Sequence, residues 1–318
     1  MTPKTLFTRA GLGIALLLAA SACGKRSDAP ATSLAGVQSD AGLATKKGPL
    51  SVVYIEVNND NLLNPGCYTL TTGGAQFFDM DIIFAANINY SATLNKAVLY
   101  NNSNVENVLV NYKTYIQPLQ AKGIKVLYSI LGNHTGDGIA NFTSQASALD
   151  FATQVADTVN TYGLDGVDFD DEYAEYGEHG SLPPANDSSF ILLLSALHKL
   201  LPGKLLTLYN IGPASTSGPY GGQSLSTFLN YAWNPYYGTF SAPAISGMSK
   251  SQLSPAAVDF GSTSSSTATS FAKETVSGGY GVMMWYGLTQ TSETSYLAGA
   301  SKALYGSGVT VPSGCLQP

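Results

Sequence analysis

Gly163-Leu-Asp165-Gly-Val-Asp168-Phe-Asp170-Asp171-Glu172-Tyr173 is the stretch on which the reading of the fold turns. Charged residues make up only 11% of the 318-residue chain, yet seven of its 21 acids lie between Asp165 and Glu178. Gly166 to Asp171 reads as a strand. Asp168, Asp170 and Glu172 alternate along it, so their side chains project to one face. Three stacked carboxylates cannot all ionise cheaply, and at least one must hold its proton tightly. A solvated loop accounts for Glu175 and Glu178, but not for acids alternating inside an apolar run. Acid-rich strand ends also suit Mg²⁺ or Ca²⁺. Nothing else in the chain asks for a metal, and His134, His179 and His198 are too scattered for a zinc site.

Working outward, seven further apolar runs read as strands: Val52–Val57, Asp81–Ala86, Lys125–Ile130, Leu205–Asn210, Tyr231–Tyr236, Ala256–Phe260 and Gly281–Tyr286. Between them, apolar residues from Val105 to Leu119 recur at helical spacing, with Gly123 to close the helix. Ala148 to Tyr162 repeats the pattern before Gly163. Asp187 offers a cap for Phe190–Leu200, which ends at Pro202-Gly203. Ile211–Leu229 and Tyr237–Pro255 look like loops. Eight strand–crossover units from Leu50 to Tyr305 match the size of a closed barrel, typically ~250 residues. No glycine-rich phosphate loop follows any strand, which disfavours an open doubly wound sheet. The expected fold is therefore α/β, a (β/α)8 TIM barrel with some short or missing helices. In that fold the acidic face is the interior, rising to the C-terminal rim where catalysis takes place.

The ends of the chain read differently. Lys4 and Arg9, the apolar run Gly11–Ala20 and the small residues Ala20-Ser21-Ala22 form an export signal over residues 1–22. Cys23 follows at once, the pattern of a bacterial lipoprotein, with ordinary secretion as the plainer alternative. Residues 23–48 read as a flexible tether, 49–306 as the barrel and 307–318 as a C-terminal tail. Cys67 and Cys315 are then left, and in an exported protein such a pair is expected to form a disulfide. The localisation expected is bacterial cell envelope or secreted, with membrane contact only through a lipid on Cys23.

Composition narrows the ligand. The net charge is −6 and the only arginines are Arg9 and Arg26, so the body lacks the clustered cations that nucleic acid requires. Its polar surface is mainly Asn, Ser, Thr, Gln and Tyr, which suits neutral, hydroxyl-rich molecules.

Asp165-x-x-Asp168-x-Asp170-x-Glu172 resembles the acidic signature of glycoside hydrolase family 18. Five further segments look closer still to its endoglycosidase H type: Tyr54-Ile-Glu-Val-Asn-Asn59, Phe84-Ala-Ala-Asn-Ile-Asn89, Ser129-Ile-Leu-Gly-Asn-His134, Tyr209-Asn-Ile-Gly-Pro213 and Tyr231-Ala-Trp-Asn-Pro-Tyr-Tyr-Gly238. The resemblance implies a cofactor-free, retaining hydrolysis assisted by the substrate's own 2-acetamido group. Glu172 would be the acid and then the base, Asp170 would orient the acetamido group, and Asp168 would tune Asp170. Asp165 would be structural. Tyr236 would bond the acetamido carbonyl, with Asn234 beside it, and Trp285 would lie under the sugar. Tyr54, Asn58, Phe84, Asn89, Asn133, His134 and Tyr209 are candidate rim contacts. Phe260 to Gly281 leaves room for one helix and no inserted domain, which favours the core bond of N-linked glycans over chitin, and the resemblance implies high-mannose and hybrid types. A chitinase and a non-catalytic barrel lectin are the alternatives. A monomer suffices.

Overall fold

The computed structural model describes residues 45–180 and 182–318. The export signal, most of the tether and Cys23 lie outside the described residues. The described residues form twelve strands: β1 Leu50–Glu56, β2 Thr69–Leu70, β3 Met80–Ser91, β4 Lys96–Tyr100, β5 Lys125–Gly132, β6 Gly166–Asp170, β7 Leu205–Tyr209, β8 Tyr231–Trp233, β9 Leu253–Ser254, β10 Ala257–Asp259, β11 Val282–Tyr286 and β12 Val309–Thr310. The main sheet runs β10-β11-β1-β3-β5-β6-β7-β8-β9. All its neighbours along that path are parallel. Its two ends meet where β9 passes into β10, so the sheet is a nearly closed barrel.

The sequence predicts one strand at the seventh position, and two short ones are found. Pro255 lacks the N–H that would carry a ladder through, so pairing stops there and resumes at Ala257. Ser254 bridges the gap, its Oγ accepting from Met284 N at 3.1 Å. Strand β3 overruns its predicted end and turns back through Asn95 (φ 51°) onto β4, an antiparallel hairpin at the rim.

The helices are α1 Ser103–Val110, α2 Tyr112–Tyr115, α3 Gln117–Gln120, α4 Gln145–Tyr162, α5 Ser189–Leu200, α6 Leu225–Phe228, α7 Ser265–Gly278 and α8 Thr294–Tyr305. The single helix expected over Val105–Leu119 is broken into α1, α2 and α3. Pro118 cannot bond back to the preceding turn and opens a new helix instead. Helix α4 ends on Gly163 at φ 69°, as its spacing predicts. Helix α5 is not capped by Asp187. Asn186 Oδ1 accepts from Ser188 N and Ser189 N at 3.2 and 3.0 Å, which leaves Asp187 without that task.

Two cores result. Val52, Met80, Ile82, Leu127, Val282 and Met284 fill the barrel interior. The opposite strand faces, such as Val53, Val167 and Phe169, pack with helix residues such as Phe151, Val155 and Leu197. The C-terminal segment is fastened to the loop after β1. Cys67 and Cys315 are disulfide-bonded with Cα atoms 5.8 Å apart, and β12 pairs with β2.

Candidate active site

Strand β6 points Val167 and Phe169 outward into the helix layer and Asp168 and Asp170 inward. The strand ends at Asp170, so Glu172 is not part of the ladder as predicted. It sits two residues beyond, half-buried on the rim. Gly132, at the end of β5, makes this possible. A Cβ there would lie 2.3 Å from Glu172 O and 2.6 Å from Ala174 N, so only glycine lets the chain fold over it.

Asp168 is fully buried and hydroxyls surround it. Its Oδ2 accepts from Tyr54 OH and Ser129 Oγ, both at 2.9 Å, and its Oδ1 accepts from Thr207 Oγ1 at 2.6 Å. Burial pushes its pKa up to about 6, and the three hydroxyls restrain the rise. Asp170 stands above it with 3% exposure. Burial first, then the charges of Glu172, Asp168 and Asp171, push it to about 9. Asp170 and Glu172 are in hydrogen-bond contact, and burial also raises Glu172. The two act as a unit that retains a proton well above the ordinary carboxylate range. Asp170 Oδ1 is buried with no hydrogen-bond partner.

The aromatic surroundings correct three expectations. Tyr236 is 61% exposed, on the outer surface of its loop. Tyr237 turns inward instead: its ring lies 6.4 Å from that of Tyr209, whose hydroxyl donates to Pro235 O at 2.6 Å. The three-residue strand β8 ends at Trp233, and Tyr237 keeps the inward phase of Tyr231 and Trp233, whereas Asn234 and Tyr236 fall on the outward phase of Ala232. Asn234 is no catalytic group, because its amide is committed to the loop. Its Nδ2 donates to Thr239 Oγ1 and Pro255 O, both at 2.9 Å, and its Oδ1 accepts from Tyr236 N at 3.1 Å. Trp285 faces away from the site. It is fully buried in the helix layer, stacked on Phe260 at 5.6 Å. Its neighbour Tyr286 has the inward phase, donating to Glu56 Oε2 at 3.0 Å and stacking on Tyr237 at 5.2 Å. The indole inside the barrel belongs to Trp233, whose Nε1 donates to Tyr54 OH at 2.6 Å.

The remaining candidates are dispersed. Tyr54 and Tyr209 are buried beneath the acid pair rather than on the rim, their rings 5.8 Å apart. Phe84 is half-buried, edge-on to Tyr54 at 5.7 Å. Asn58 is exposed and accepts from Asn104 Nδ2 at 3.1 Å. Asn89 lies on the hairpin extension of β3, its Oδ1 buried without a partner. Asn133 is half-buried just past Gly132. His134 meets Glu175 rather than Glu172: Nδ1 lies 2.5 Å from Glu175 Oε1, while His179 Nε2 is 2.6 Å from Oε2. Asp165 is at the opposite end of β6, held by Gln120 Nε2 at 2.8 Å, Val126 N at 3.0 Å and Lys125 Nζ at 3.1 Å.

Asp171 is a participant that sequence reasoning passed over. It is buried on the outward phase and accepts from Tyr176 OH and, at 2.7 Å, from Ala214 N. Burial raises it to about 6. The signal for it was Gly212 of Ile-Gly-Pro, where a Cβ would lie 2.0 Å from Asp171 O. Among the described residues, no three His, Cys, Asp or Glu side chains converge as a metal site.

A barrel with a proton-sharing carboxyl pair at its C-terminal mouth is the architecture of a glycosidase, and comparison places it in one family. Residues 52–231 match Glycosyl hydrolases family 18. An endo-beta-N-acetylglucosaminidase of Flavobacterium sp. (strain SK1022) is 54% identical over 84% of this chain and 83% of its own length. Endo-beta-N-acetylglucosaminidase F1 of Elizabethkingia meningoseptica is 36% identical over 79% and 74%. EndoBT-3987 of Bacteroides thetaiotamicron, solved with a Man9GlcNAc2Asn substrate, superposes with a TM-score of 0.76 at 32% identity, covering 86% of this chain and 70% of that one. The same protein with a Man5GlcNAc product gives 0.74, and there the chain spans 63% of that chain's length. The chain belongs to glycosyl hydrolases family 18, and the protein is a glycoside hydrolase.

Proposed function

We propose that the protein is an endo-β-N-acetylglucosaminidase cleaving the GlcNAc-β-1,4-GlcNAc core bond of high-mannose and hybrid N-linked glycans with retention of configuration. The observation that carries this reading is the buried, unpartnered Oδ1 of Asp170 beside the proton-holding Glu172. A buried acceptor without a donor calls for an N–H from the ligand, and a 2-acetamido group supplies one. Glu172 then gives its proton to the leaving glycosidic oxygen. As the C1–O bond breaks, the acetamido oxygen bonds to C1, and positive charge develops on the N–H facing Asp170. Water attacks C1, its proton returns to Glu172, and the acetamido group is released. Tyr237 is the hydroxyl suited to the acetamido oxygen. Asp168 keeps a like charge below Asp170 and sustains its affinity for the shared proton.

Incubation with a high-mannose glycoprotein tests the reading by mass. One GlcNAc per site should remain, and Glu172→Gln should cut the rate by about 10²–10⁴-fold. An intact glycoprotein, or chitin dimers released in its place, would overturn it.

Export belongs to the same proposal. Met1–Ala22 supports a signal peptide, and Cys23 supports a lipid anchor on a monomeric, cell-envelope enzyme. Labelling with a fatty-acid analogue should mark the protein and fail in Cys23→Ser. Equal labelling of both would contradict the anchor.

A further inference from the structure

We infer that Glu56 is a specificity-determining residue of this reaction, a carboxylate that accepts hydroxyls from the neutral sugar on the glycone side of the cleaved bond. The inference rests on the endoglycosidase reading above. Strand β1 turns Val52 and Tyr54 into the barrel interior, and Glu56 is the next residue of that phase. It stands half-buried at the mouth. Tyr286 OH donates to its Oε2 at 3.0 Å, and no other side chain among the described residues donates to Glu56.

Among the described residues, no cation neutralises this carboxylate. The body of the chain has no arginine, and among the described residues no lysine or histidine pairs with Glu56. Its charge reaches Asp60, adding to the burial that raises that carboxyl. A partly buried anion with an open oxygen needs donors. Sugar hydroxyls supply them, and hydrogen bonds to a charged acceptor are roughly twice as strong as neutral ones.

The walls fit the same ligand. Tyr286 stacks on Tyr237 at 5.2 Å, and Phe84 sets its edge against Tyr286 at 6.5 Å. The ring of Tyr237 lies 6.4 Å from that of Tyr209, which feels the charges of both Asp170 and Glu172. An aromatic surface therefore connects the acid pair to Glu56, giving apolar faces for sugar C–H groups and an acceptor at its far end. Glu172 serves the leaving oxygen, and Glu56 lies past Tyr237, on the acetamido-bearing side.

The test is a comparison of kcat and KM on a high-mannose glycopeptide for wild type, Glu56→Gln, Glu56→Asp and Tyr286→Phe, each with a thermal melt. Glu56→Gln should raise KM by about tenfold or more, the value expected for a hydrogen bond to charge. Its kcat and melting point should hold, and Glu56→Asp should fall between it and wild type. In the wild type, the released glycan should shift the Glu56 carboxyl ¹³C resonance, a readout that needs no variant to fold. An unmoved resonance, or an unchanged KM in Glu56→Gln with active wild type, sinks this inference alone. Equal melting losses in Glu56→Gln and Tyr286→Phe without a KM change would reduce Glu56 to a clasp for Tyr286. Wild type that leaves the glycopeptide whole would remove the endoglycosidase reading as well.

Discussion

Tyr236 and Tyr237 are adjacent, and only the second faces the acid pair, because it continues the inward phase of Tyr231 and Trp233 while Tyr236 falls on the outward phase of Ala232. Tyr237→Phe should lower kcat/KM by about tenfold or more, the scale of a hydrogen bond lost next to charge. Tyr236→Phe should leave kcat/KM near wild type, and the reverse ranking would contradict the assignment. Asp171 acts on the same pair from outside the barrel. Ionised above its pKa of about 6, it adds a like charge that raises the proton affinity of Asp170. Asp171→Asn removes that charge, so Asp170 releases its proton more readily. The alkaline limb of the kcat/KM profile should move to lower pH. A fixed limb, or an upward shift, would show that Asp171 serves only the loop.

At the scale of elements, much was legible from periodicity. All eight barrel positions came from short apolar runs, because a parallel strand covered on both faces leaves an uninterrupted apolar signature. The inward phase of Asp168 and Asp170 followed from the same alternation. Legibility failed where backbone chemistry outweighs side-chain pattern. Pro118 cuts the first helix, Pro255 splits the seventh strand, and Trp285 falls on the outward phase of β11 although its place at the strand end suggested the site. The β3–β4 hairpin was missed because its polar Asn87, Asn89 and Asn95 look like loop. Glu172 depends on an element-level contact that sequence showed only as a glycine. Gly132→Ala would push a methyl group into the chain carrying Glu172 and Ala174. It should reduce kcat/KM by about tenfold or more, a misplacement effect on catalysis, and lower the melting point by several degrees, the scale of about 1–3 kcal/mol for overpacking against backbone. Unaltered kinetics would show that the rim is not held by this contact.

For the whole molecule, the disulfide joins positions 248 residues apart. Chain-entropy arguments set its contribution at up to about 5 kcal/mol for a loop of that length. Reduction, or a Cys67→Ser, Cys315→Ser double variant, should lower the denaturation midpoint while leaving kcat near wild type, since the bond lies away from β6. A midpoint that does not move would mean that β2–β12 pairing alone secures the C-terminal segment. The charge distribution has the same global logic: a body without arginine leaves its rim carboxylates free for neutral hydroxyl donors. The central claim is that the substrate's acetamido oxygen, poised by Asp170, is the nucleophile. Proton NMR of the anomeric signal during the first minutes of glycan release tests this most directly. The account predicts that the β-anomer of the new reducing-end GlcNAc appears first and then mutarotates, whereas initial release of the α-anomer would contradict it.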